Sequence, residues 1–355
     1  MLPAKFVERV LRELGPDEGG ALCRALTGEP SVSVRLNAAK GLAAPSGRPI
    51  GWSSGGYWLD ARPSFTLDPD FHAGRYYVQE ASSQFVGHIV AACGGIRGGR
   101  VLDLCAAPGG KTTLYSTLAG RGGLVVANEI VRNRAAVLAD NVRKWGVGNV
   151  AVTVNDPSQV ARLEGWFDAV AVDAPCSGEG MFRKLEEART EWSEAGVALC
   201  AERQRGILRE AWRTLRPGGL LLYSTCTFNF TENEGVLRDF SVWAAGETEP
   251  AERIAVDPAW GVVCGAEGDF QTFRFYPHKV EGEGFFAAAV RKRAASGGEC
   301  PDRSATRWRG PTAVPCRSWS GGWRSPKRCG SLPWAIRSTA IGSRRRRPWR
   351  CFRVC

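Results

Sequence analysis

Between about residues 99 and 226 the chain alternates short apolar runs with longer amphipathic stretches, and this alternation limits the fold more than any other feature. "GRVLDLCAAP" (99–108) is an apolar run that ends in a loop, and "GGKTTLYSTLA" after it reads as a helix. "GGLVVANEI" reads as a strand, "VRNRAAVLADNVRKWG" as a helix closed by glycine, and "NVAVTVND" and "FDAVAVDAPCSG" as strands. "EWSEAGVALCAERQRGILREAWRTLRPGG" predicts a long helix stopped by Pro-Gly-Gly before the strand "LLLYSTC". "TENEGVLRDF" carries the Thr231–Glu234 spacing of an N-terminal capping box, and "EGFFAAAVRKR" closes the series as a strand. Uninterrupted apolar strands separated by helices predict an α/β fold with a mostly parallel, doubly wound, Rossmann-like sheet covered on both faces. Such sheets bind ligands at the carboxyl ends of their strands.

Around this region three parts are expected. Residues 1–74 join an amphipathic start, "MLPAKFVERVLRELG", to turn-rich text and predict a small α+β N-terminal module. Residues 75–293 form the catalytic domain, opening with helical periodicity in "RYYVQEASSQFVGHIVAAC" (75–93). Residues 294–355 are a basic tail rich in Arg, Trp, Cys, Ser, Pro and Gly, without sustained periodicity. It reads either as an RNA-binding tail or as out-of-frame translation replacing a C-terminal RNA-binding domain. Out-of-frame translation is the favoured reading, because tryptophan and cysteine suit a solvated tail poorly.

The formal net charge of +11 suggests a nucleic-acid partner only until it is located. Residues 296–355 hold 14 Lys and Arg against 2 Asp and Glu, +12 in all; the 33 basic and 34 acidic residues before them leave 1–295 at −1. The case for RNA must therefore come from a site. No run is long and apolar enough for a membrane helix, and the start lacks a signal-peptide core, so a cytoplasmic monomer with no membrane partner is expected. Twelve cysteines without a CxxC pair predict neither a disulfide scaffold nor a metal site.

"LDLCAAPGGKTT" (102–113) departs from both common nucleotide loops: Cys105 replaces the first glycine of the phosphate-binding pattern, and GxGxxG is absent. What remains is a tight turn suited to a nucleoside without phosphates, such as S-adenosylmethionine. Asp103 ends the first strand where a cationic methionyl group would lie. Glu129 in "ANEI" is placed to accept ribose hydroxyls, and Asp156 in "VNDPS" to meet the adenine amine, although before Pro157 it is equally a turn former. Lys111 is either a solvated first-turn residue or a partner of the cofactor carboxylate.

The next two strands end in Asp173-Ala-Pro-Cys176 and Ser224-Thr225-Cys226. If they are sheet neighbours, both thiols face the crevice of the cofactor loop. A thiolate is a strong nucleophile that needs no metal. Methylation at carbon 5 of cytosine requires one, because addition at carbon 6 turns carbon 5 into an enamine-like nucleophile. Asp173 would hold the ring nitrogen and exocyclic amine. Phe182, Arg183 and Lys184, with Phe228 and Phe230, either contact a splayed nucleotide or pack the loops.

"SVSVRLN", "YYVQEASS", "DLCAAPGGKTT", "DAPCSGEGMFRK", "YSTCTFNFTENEGVL" and "RFYPHKVEGEGFF" together closely resemble the Sun-type RNA cytosine-5 methyltransferases, notably the RsmF-like enzymes of bacterial ribosomal RNA. The resemblance runs from about residue 5 to 293. It implies Cys226 as nucleophile, Cys176 as the residue assisting product release, and a cofactor site of Cys105, Ala106, Ala107, Pro108, Gly109, Gly110, Lys111, Glu129, Asp156 and Asp173. It also implies residues 1–74 as an RNA-recognition module and small-subunit rRNA, as free RNA or 30S subunit, as substrate. A tRNA enzyme of the same chemistry and an inactive RNA-binding assembly factor are the alternatives. No counterpart of that family's usual C-terminal RNA-binding domain is seen in 296–355.

Overall fold

The structure, a computed structural model, describes residues 1–294 and 352–354. The readings of the tail therefore lie outside the described residues, apart from its three-residue strand. The first part comprises α1 (Ala4–Ala25), β1 (Ser33–Leu36), β2 (Arg48–Pro49), β3 (Gly56–Trp58), α2 (Pro69–His72) and β4 (Tyr76–Val78). Its antiparallel sheet has the order β2-β3-β1-β4 and encloses a small core of Val34, Phe65 and Tyr76. The text from residue 75, expected to be helical, begins as a strand: Val34 pairs with Val78 and Leu36 with Tyr76. Cross-strand pairing of aromatic and β-branched residues overrides the helical spacing here. The first sheet thus runs past residue 74, and the helix begins only at α3 (Phe85–Ala92).

Then follow β5 (Arg100–Asp103), α4 (Gly110–Ala119), β6 (Leu124–Asn128), α5 (Arg132–Trp145), β7 (Val150–Thr153), α6 (Pro157–Val160) and β8 (Phe167–Asp173). The chain continues through α7 (Glu186–Thr190), α8 (Glu194–Thr214), β9 (Leu215–Thr225), α9 (Glu234–Trp243), β10 (Thr248–Glu249), β11 (Val263–Glu267), β12 (Phe270–Phe275) and β13 (Phe285–Lys292). With β14 (Phe352–Val354), the second sheet runs β11-β12-β13-β9-β8-β5-β6-β7-β14, and β10 pairs with β13. Pairing is parallel from β9 to β7. It is antiparallel at the flanks, where β13 pairs with β9 and β14 with β7.

Strand order reverses between β5 and β8: β6 and β7 lie on one side, β8 and β9 on the other. A crevice opens at the carboxyl ends of strands at such a reversal. Alternation explains the continuous apolar runs. Val101, Ala169 and Leu222 pack on the face covered by Phe85, Ile89, Tyr115 and Leu138. Their neighbours Leu102, Val170 and Leu221 pack on the other, against Leu208, Trp212 and Phe240. Both faces are buried, so neither residue of a pair can be polar.

The Thr231–Glu234 capping box does not form. Asn233 occupies the N-cap of α9 without a capping side chain, and Glu234 instead accepts from Arg274 Nε at 2.7 Å. Phe6, Val10 and Leu22 pack on Phe182, Phe228 and Tyr276, so α1 lies against the loops after β8 and β9. Phe182 and Phe228 are therefore packing residues, whereas Phe230 stays exposed. Among the described residues no helix is long and apolar enough to cross a membrane.

Candidate active site

β5 delivers Asp103 into the crevice, and the turn to α4 wraps over it. Leu104 N donates to Ala171 O at 2.9 Å, and Ala106 N to Asn128 O at 2.9 Å, so neighbouring strands hold the turn. Outer groups fix its carbonyls: Arg134 donates to Ala107 O at 3.1 Å, and Asn141 to Pro108 O at 2.8 Å. Gly109 has φ +109°, a backbone state that side chains rarely adopt. The Cys105 thiol is half-buried, and burial pushes its pKa well above the ordinary thiol range.

Asp103 is 1% exposed. Its Oδ2 accepts from Thr112 Oγ1 at 2.6 Å, while Oδ1 is buried with no partner among the described residues. Burial pushes this carboxyl up to about 7; the Thr112 hydroxyl opposes the shift, and Asp173 adds to it. Glu129, also buried, follows β6, accepts from Val131 N at 3.0 Å and meets Arg134 at 3.4 Å. Asp156 is exposed and caps α6, its Oδ1 accepting from Ser158 N at 2.9 Å and Ser158 Oγ at 2.6 Å. One of its oxygens thus acts as the turn former that Pro157 announces.

β8 and β9 are neighbours, with Asp173 opposite Ser224. Three residues past β8 and one past β9, the Cys176 and Cys226 sulfurs stand 3.4 Å apart. The hydrogen bond to the Cys226 sulfur, and then burial, push the Cys176 thiol well above its usual range. Asp173 accepts from Ser224 Oγ at 2.7 Å and pairs with Lys111 at 2.9 Å. Lys111 is thus engaged with Asp173 rather than held in solvent. Burial pulls its pKa down, but Asp173 prevails and Cys226 adds to it, so the ammonium is favoured. The three expected acids, the loop and both thiols line the same end of the sheet.

Several residues beneath the thiols were missed in the sequence. Glu179, wholly buried, pairs with Arg9 at 2.7 Å and accepts from Phe228 N at 2.9 Å and Asn229 N at 3.1 Å. Glu232 accepts from Ser177 N at 2.9 Å and Gln204 Nε2 at 3.0 Å. These carboxylates tie the Pro-Cys loop to the Thr-Cys loop. The available signal was acids and amides within "CSGEG" and "FNFTENEG", where a solvated loop gains nothing from that density. Arg183 donates to Glu283 at 2.8 Å, so it is engaged with a buried acid, and Lys184 lies 3.7 Å from the same residue. The histidines stand apart from the thiols: His88 bonds Ala255 O and His278 bonds Glu18.

Residues 96–291 match the family model described as 16S rRNA methyltransferase RsmB/F, and residues 2–81 that of the N-terminal domain of 16S rRNA methyltransferase RsmF. A ribosomal RNA small subunit methyltransferase F of Erwinia tasmaniensis is 38% identical over 257 residues, covering 70% of this chain and 52% of that protein. The chain thus spans about half the length of that relative. The crystal structure of PH0851 superposes with a TM-score of 0.72 at 30% identity, covering 82% of this chain and 66% of that one. A methyltransferase homologue from Pyrococcus horikoshii gives a TM-score of 0.64 at 28% identity, covering 80% and 93%. The chain therefore belongs to the RsmB/F family of 16S rRNA methyltransferases.

Proposed function

We propose that this protein methylates carbon 5 of a cytosine in RNA, with small-subunit ribosomal RNA as substrate and S-adenosylmethionine as methyl donor. The observation that carries the reading is the pair of sulfurs 3.4 Å apart at the ends of adjacent strands, beside the Asp173–Lys111 pair. The relatives named above as small-subunit rRNA methyltransferases supply the substrate class.

The residues fit the cofactor. Asp103 Oδ1, buried and unpaired, suits a cationic group; Glu129 suits a ribose diol; and the turn 105–110 admits backbone contact without a phosphate. Asp156 would meet the adenine from the exposed rim. When bound, the cofactor supplies an electrophilic methyl group.

The chain's own residues do the rest. Cys226 is taken as the attacking sulfur, the role that the resemblance implies for the Thr-Cys cysteine, with the Cys176 sulfur 3.4 Å away. Its thiolate adds to carbon 6 of the base, breaking the 5,6 double bond and placing electron density on carbon 5. Asp173, oriented by Ser224 and Lys111, faces the ring nitrogen and amine, where charge changes during addition. After methylation a base takes the carbon-5 proton, the C–H electrons re-form the 5,6 double bond, and the carbon 6–sulfur bond breaks to return the Cys226 thiolate, with Cys176 assisting this release.

The test is a denaturing gel of Cys176→Ala after expression in cells. The expected result is a slow band that ribonuclease collapses and that adding Cys226→Ala abolishes; sequencing the trapped RNA then names the target. A band that needs Cys176 instead would exchange the two roles. No band from folded protein that binds the cofactor would favour the inactive RNA-binding reading.

A further inference from the structure

Arg35, on β1 of the first sheet, is 2% exposed and reaches across to the first turn of α4, the helix that leaves the cofactor loop. Nη2 donates to Thr113 Oγ1 at 2.6 Å and Gly110 O at 3.2 Å, and Nε donates to Gln79 Oε1 at 2.7 Å. The guanidinium lies 4.5 Å from the centre of the Trp145 ring. Every one of these partners is neutral. Burial lowers its pKa only to about 9, which leaves it charged at neutral pH.

This placement works against stability. A buried cation without an acid forfeits hydration that nothing returns in full. It also stands at the positive end of a helix, where a cation is disfavoured. Neutral anchors would join the two sheets at lower cost; Asn37 does so through Trp145 O at 2.9 Å and Gly74 O at 3.1 Å. A second group at the same turn is also left incomplete. Gln79 Nε2 is buried with no partner among the described residues, 3.5 Å from where a Cβ on Gly110 would stand. Lys111, the side chain that the sequence suggested for the cofactor carboxylate, is committed to Asp173.

We propose that Arg35 is a positioning residue for the methyl donor: its uncompensated charge, delivered by the N-terminal sheet to the α4 turn, attracts the cofactor carboxylate without touching it. An anion at that helix end would complete the electrostatics that the protein alone leaves open. The first sheet then contributes to cofactor affinity as well as to shape. The inference rests on the cofactor reading above.

The test compares two ligands on the full chain by calorimetry: S-adenosylmethionine, and its decarboxylated analogue, which keeps the sulfonium and amine but lacks the carboxylate. Arg35→Gln is expected to weaken S-adenosylmethionine about tenfold and the analogue less than about twofold. Arg35→Lys is expected to preserve the preference for the carboxylate-bearing ligand. Equal weakening of both ligands by Arg35→Gln, or no weakening, would reduce Arg35 to a strut between sheets. Should Arg35→Gln not fold, Arg35→Lys decides: loss of the carboxylate preference in a folded variant overturns the inference. Wild-type protein that binds neither ligand would overturn the cofactor reading itself.

Discussion

At the scale of single residues, Asp103 ties the proposed cofactor site to pH. The folded chain holds this proton to about pH 7 because burial disfavours the carboxylate, whereas an exposed aspartate loses it near pH 4. Between those values the native state binds more protons than the unfolded one, so stability falls as pH rises and levels off above about 7. Asp103→Asn removes that slope. Relative to the variant, wild-type protein without cofactor should lose on the order of 3 kcal/mol from pH 4.5 to 7.5, read from urea midpoints; parallel profiles would refute the assignment. A cationic ligand needs the ionised form, so its affinity should rise up to about tenfold per pH unit below 7. The residues that the sequence proposes for the site each sit beside a strand end in their own segment: Asp103, Glu129, Asp173, Cys176 and Cys226. Arg35 and Glu179 escaped because their meaning lies in distant partners. Glu179 meets Arg9 at a separation of 170 positions, which no local spacing can encode.

At the scale of elements, the site depends on two loops that cross at glycine. Gly180 N donates to Cys226 O at 2.9 Å, and a Cβ at Gly180 would stand 2.6 Å from Gly284 O and 3.0 Å from Cys226 O. Backbone on both sides cannot yield as a flexible side chain would. Gly180→Ala should therefore push the Pro-Cys loop from the Thr-Cys loop, costing about 1–3 kcal/mol. In the Cys176→Ala background it should remove the trapped RNA band while cofactor affinity stays within about twofold, since the turn proposed for the cofactor lies between β5 and α4. An undiminished band would show that the crossing does not set the site. Strands and long helices were legible because their periodicity follows from two buried faces. Two elements were not. Tyr76–Val78 took strand form from pairing with β1, and the Thr231–Glu234 spacing lost its cap to the Arg274 ion pair. Both were decided by a partner outside the segment. The place of α1 was hidden for the same reason: an amphipathic stripe announces that a face is buried, but not against which loops.

At the scale of the whole molecule, charge and specificity reside in different parts of the chain. The N-terminal sheet, both thiols and every strand of the second sheet but β14 lie within residues that sum to −1, whereas residues 296–355 carry +12. Phosphate contacts supply affinity that is steep in salt and indifferent to sequence, whereas discrimination comes from the bases and the shape that a folded surface can read. Whatever the origin of the basic text, its charge acts on any RNA within reach. Replacing Arg344, Arg345, Arg346 and Arg347 by Gln removes four of those charges. If all four engage phosphates, the slope of log affinity against log salt should become shallower by about 3. Filter binding at several salt concentrations reads that slope on two RNAs, the one recovered from the Cys176→Ala adduct and an unrelated one of equal length. Both should weaken together, leaving their ratio and the cofactor affinity unchanged, because the groups proposed to read the base stand at the ends of β8 and β9. A fall in the ratio would move part of the recognition into the basic segment. An unchanged slope would mean that those four arginines do not reach the RNA.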